Sequence, residues 1–118
     1  MTAASRSLSY FGYYLVLTGI MLTVFPNVML GMIGVPETNE VWIHLLGIVV
    51  FNMGLAYIIV APSNNALFLT YSVYARASVF VWFLIFYFIG LAPAQLIIFG
   101  VIDLAGAVWT YAALRKGS

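Results

Sequence analysis

The sequence contains no cysteine. Disulfides, thiolate metal sites and cysteine nucleophiles are excluded together. Charge is almost as scarce, with four Lys or Arg, three Asp or Glu and one His, for a net charge of +1. Soluble domains cover themselves with roughly a quarter of charged residues. Here the share is 6%, against 65% hydrophobic, so lipid must be the solvent for most of the surface. No basic stripe exists to track phosphates, which excludes nucleic acid as a partner. Nor is there a Gly-x-Ser-x-Gly elbow, a phosphate loop or a cluster of metal ligands.

What is present is long apolar runs. A membrane span needs about 20 mostly apolar residues, and the chain offers four stretches of that kind: 7–33 with a kink at Pro26, 41–61, 66–91 and 93–114. The first follows Arg6, the outline of a signal peptide, but it is too long and too aromatic (Tyr10, Phe11, Tyr13, Tyr14) and is expected to be retained. Pro26 lacks an N–H and crowds the preceding turn, so it should kink or end the first helix. Asn39 is placed to cap the second helix, with Glu40 in its first turn. Pro93 suits the first turn of the fourth. The expected fold is all-α: a single transmembrane domain in which four spans with short connections form an antiparallel bundle.

Arg6, Arg115 and Lys116 lie at the two termini, which an even number of spans leaves on one side. The loop carrying Glu37 and Glu40 has no Lys or Arg. The positive-inside rule then puts both termini in the cytoplasm of a multi-pass inner-membrane protein.

The polar residues within the spans are the candidate site. Asp103 lies about 14 Å into the fourth span, near the midplane, where an ionised carboxylate costs about 2.5–3.5 kcal/mol. Its helix neighbours Gly100, Gly106, Ala107 and Thr110 make a small-and-polar stripe that lets another helix approach. Arg76 lies about 15 Å into the third span. An Arg76–Asp103 pair, direct or through water, competes with Arg76 snorkelling to the headgroups. Side chains lean toward their own helix N-terminus, which works against the pair. Asn52 is the best depth-matched partner for Asp103, with Gly47 and Gly54 flanking it. Gly12, Gly19, Thr23 and Asn27 make a similar stripe on the first span. His44 and Glu40, four residues apart, form a candidate pH-sensitive pair, but they fall short of the ligands zinc needs, and no cofactor is expected. Tyr71, Tyr74 and Arg76 make a candidate cytoplasm-facing pocket for an anionic or aromatic headgroup.

The order "P…GVPE…VWIHLLG…G", then "YARASVF" and "FGVIDLAGAVWT", resembles small four-span bacterial membrane proteins of the DoxX-like kind. The resemblance covers most of the chain. It implies a bacterial inner membrane and a four-helix bundle, and brings no activity or site residues. Three functions are thereby in competition. The first is a non-catalytic accessory subunit or a module binding lipid or another hydrophobic small molecule, alone, as a homo-oligomer or in a larger membrane complex. The second is a proton-coupled transporter or channel subunit using Asp103 and Arg76. The third, an intramembrane enzyme, lacks a converging base and nucleophile.

Overall fold

The computed structural model describes residues 1–116. Its elements are helices: α1 (Ala3–Val24), α2 (Pro26–Met32), α3 (Val41–Val60), α4 (Ala66–Phe88) and α5 (Ile97–Arg115), with short 3₁₀ turns at Ala61–Ser63 and Ala94–Leu96. Four helical stretches of 22 or 23 residues are long and apolar enough to cross a membrane. At 1.5 Å per residue each reaches about 33 Å, against a hydrocarbon core of about 30 Å. The protein is an all-α, multi-pass membrane protein.

Helix ends follow local chemistry. Thr2 Oγ1 accepts the Ser5 N–H at 3.1 Å, a hydroxyl cap that starts α1 four residues before the apolar run begins. Phe25 separates α1 from α2, and Pro26 occupies the first turn of α2. Thr38 Oγ1, not the Asn39 side chain, accepts the Glu40 N–H ahead of α3. Asn65 caps α4 by accepting the Phe68 N–H at 3.0 Å. Gly90, at φ +83°, reverses the chain after α4, a backbone conformation closed to most L residues. Pro93 is extended and precedes the 3₁₀ turn rather than lying within α5.

The chain divides into two compact units, Met1–Leu8 with the chain from Val60 onward, and Ser9–Ile59. In the Ser9–Ile59 unit, α1 and α3 run antiparallel and touch backbone to backbone. A Cβ on Gly47 would lie 2.5 Å from Thr23 N, and one on Gly54 2.7 Å from Val16 N. Gly19 is tighter still, against the backbone of Phe51. Only hydrogen fits at these positions. This is how membrane helices gain van der Waals contact without a hydrophobic drive between them. Asn27 Oδ1 accepts the Thr38 N–H at 2.9 Å and ties the following loop to α2.

In the other unit, α4 and α5 form an antiparallel hairpin. Gly100 faces Phe80, where an added Cβ would lie 3.1 Å from the Phe80 Cα. Here side chains, more than backbone, fill the space between helices.

Candidate functional site

The α4–α5 hairpin holds a charged group sealed among hydroxyls. Ser72 and Arg76 are four residues apart on α4, so they share one face. Arg76, 3% exposed, folds back along its own helix: Nε donates to the Ser72 carbonyl at 3.0 Å and Nη2 to Ser72 Oγ at 3.2 Å. Nη2 also donates to Thr110 Oγ1 on α5 at 2.8 Å. Ser7, Ser72 and Thr110 are completely buried.

Counting protons gives this cluster a direction. Ser72 Oγ donates to the Leu69 carbonyl at 2.7 Å, so toward Arg76 it can only accept. Ser7 Oγ donates to the Ala4 carbonyl at 2.7 Å, and each hydroxyl has one hydrogen. Thr110 must therefore donate across its 2.6 Å contact with Ser7. The chain runs from the Arg76 guanidinium through Thr110 and Ser7 to the Ala4 carbonyl. Each hydroxyl accepts charge-assisted or neighbouring density and passes it on, which strengthens the network.

Asp103 does not join it. Its carboxylate is half-buried beside Gly106 and Ala107 on α5 and makes no hydrogen bond or ion pair among the described residues. The Arg76 charge acts on it only through space. The reason is directional: on antiparallel helices the two side chains lean toward opposite ends, and Ser72 offers Arg76 an acceptor on the near side. Nor does Arg76 run out to the headgroups, since its hydrogen-bond acceptors lie back along α4 and on α5.

Asn52 is exposed. The glycines flanking it in sequence are on the other side of α3, roughly 140–160° around at 3.6 residues per turn. Gly47 and Gly54 serve the contact with α1, and Asn52 points away from it. His44 and Glu40 are likewise not paired. His44 Nδ1 lies 2.6 Å from the Thr23 carbonyl, which only accepts, so Nδ1 carries the proton. The break before Pro26 leaves Thr23 among the last carbonyls of α1, groups that lack helical partners. His44 supplies one.

The expected pocket of Tyr71, Tyr74 and Arg76 is replaced by another. Tyr74 lines a cleft of about 230 Å³ with Thr70, Val73, Tyr111, Leu114 and Arg115. Arg76 sits about 200° around α4 from Tyr74 and does not line it. Tyr71 is exposed and packs on Phe68, ring centroids 6.0 Å apart. The cation of the cleft is Arg115. Its Nη1 donates to Tyr111 Oη at 3.2 Å, and its Cζ lies 5.9 Å from the Tyr111 ring centroid.

Sequence reasoning missed Ser7, Ser72 and Arg115 as interacting groups. The available signal was Ser72 one turn before Arg76; a buried Arg must find acceptors nearby. No protein-family model, curated protein or solved structure gives a significant match to the chain.

Proposed function

We propose that this protein is a small, non-catalytic module of a bacterial inner membrane that binds the anionic headgroup of a lipid, with both termini cytoplasmic. The observation that carries this reading is the cleft between α4 and α5. Tyr74, Val73 and Leu114 give it an apolar and aromatic wall, Thr70 a hydroxyl, and Arg115 an exposed cation at the last turn of α5. A ring beside a guanidinium suits an amphipathic anion. Its volume is below the roughly 300–1,000 Å³ of pockets that engulf a drug-sized molecule. It suits a headgroup and the start of a chain, the remainder lying in the bilayer. The basic termini and the DoxX-like pattern support the membrane and orientation.

The test is lipid retention. Protein extracted in mild detergent from vesicles of equal phosphatidylglycerol and phosphatidylcholine should retain the anionic lipid preferentially. Arg115→Gln and Tyr74→Leu should each abolish the preference. Equal retention of both lipids by the unaltered protein rejects the proposal.

A second reading has its own observation: Asp103 is a mid-span carboxylate with no hydrogen bond among the described residues. Such a group suits proton binding and release. Asp103→Asn should then abolish proton flux in proteoliposomes while the fold is retained. Flux identical to protein-free vesicles before the substitution removes this reading.

A further inference from the structure

Asn52 lies about 16 Å along α3 from its start, in the middle of the span Val41–Ser63. Around it on the same stripe are Leu45, Ile48 and Ile59, all exposed, and the smaller Ala56. The stripe is opposite the Gly47 and Gly54 face that packs on α1. An amide carries two donors and an acceptor, and the Asn52 side chain has no hydrogen-bond partner among the described residues. In hydrocarbon there is no water to supply one.

We propose that this face of α3 is a homodimer interface, in which Asn52 pairs with Asn52 of a second copy across a two-fold axis along the membrane normal. Two considerations select a second copy as the occupant. The amide is self-complementary: each can donate to the other's oxygen at once, as an isologous contact requires. Copies inserted with one orientation also bring Asn52 to the same depth automatically, whereas any other partner needs a polar group at that depth. Leu45, Ile48 and Ile59 extend the contact above and below, and Ala56 allows close approach one turn away. The inference rests on α3 alone and stands whether or not the cleft binds lipid.

The absence of native cysteine makes the test direct. Full-length protein with Leu45→Cys or Ile59→Cys is reconstituted in phosphatidylcholine vesicles and oxidised at a series of protein-to-lipid ratios. Both variants should form disulfide-linked dimers, while Leu17→Cys, an exposed position on α1, should not. Adding Asn52→Leu should weaken self-association about tenfold, judged from the ratio at which half the protein cross-links. Asn52→Gln, which keeps the amide, should restore most of it. Retention of helical circular dichroism shows that each variant folds. Cross-linking at positions 45 and 59 that is unchanged by Asn52→Leu, or no cross-linking in the folded Leu45→Cys and Ile59→Cys variants that keep Asn52, overturns the proposal.

Discussion

The two units hold their helices together by different means. Between α1 and α3, side chains are removed: glycines at 12, 19, 47 and 54 let backbones meet, with Cβ positions 2.9 Å or less from the neighbouring helix. Between α4 and α5, a Cβ added at the comparable glycine, Gly100, would lie 3.1 Å from the Phe80 Cα, and the helices are joined by a side-chain hydrogen bond from Arg76, held in place by Ser72 on its own helix, to Thr110. Lipid tails are as apolar as leucine, so neither pair gains from hydrophobic burial alone. Dispersion at close range, with one hydrogen bond from His44 to the Thr23 carbonyl, serves the first. Polar groups with nowhere else to go serve the other. The first mechanism is intolerant of added volume, the second of lost partners.

That contrast can be broken, beginning with the largest effect. Gly19→Ala places a methyl against the Phe51 backbone, and the helices must separate. It should cost about 3 kcal/mol, the upper part of the overpacking range, visible as a lowered thermal-unfolding midpoint in detergent. Thr110→Val keeps the volume but removes the acceptor of Arg76 and the donor to Ser7. A loss of about 2 kcal/mol is expected, in the range for buried polar groups left unsatisfied. If Thr110→Val proved neutral while Gly19→Ala was severe, the hydroxyl network would not be what joins α4 to α5.

Smaller effects sharpen the comparison. His44→Leu strands the Thr23 carbonyl at the end of α1 and should cost about 1 kcal/mol, with faster amide exchange confined to the Pro26 break. Gly100→Ala should cost only about 1 kcal/mol, the low end of the overpacking range, because the Phe80 backbone and the Phe83 ring need give by tenths of an ångström where Phe51 must move much further. A Gly100→Ala penalty equal to that of Gly19→Ala would erase the distinction between the units. Arg115→Gln, at an exposed position, should leave the melting temperature unchanged and remove only the preference for anionic lipid.

Much of the fold was written locally. Apolar runs near 20 residues and the scarcity of charge define spans without reference to anything distant. Pro26 marks the break, because a missing N–H acts on its own helix. The glycine spacing on the first two spans was visible too, yet the face they serve was assigned to Asn52 as well. A two-residue offset turns the helix by about 200°, so adjacency in sequence is not adjacency on a face. Similarly, Tyr74 and Arg76 are two residues apart, and one lines the cleft while the other is buried against Ser72 and Thr110.

By itself, then, the sequence determined the class of solvent, the number of long apolar helices and the positions of their polar intruders. These follow from hydrophobic content and backbone geometry, which are properties of short segments. Which polar groups meet was decided only by the tertiary structure. Arg76 met Thr110 and Ser72 instead of Asp103, and His44 met the Thr23 carbonyl instead of Glu40. A hydrogen bond needs donor and acceptor within about 3 Å and in line, and that depends on the rotation of each helix about its axis, which packing between helices sets.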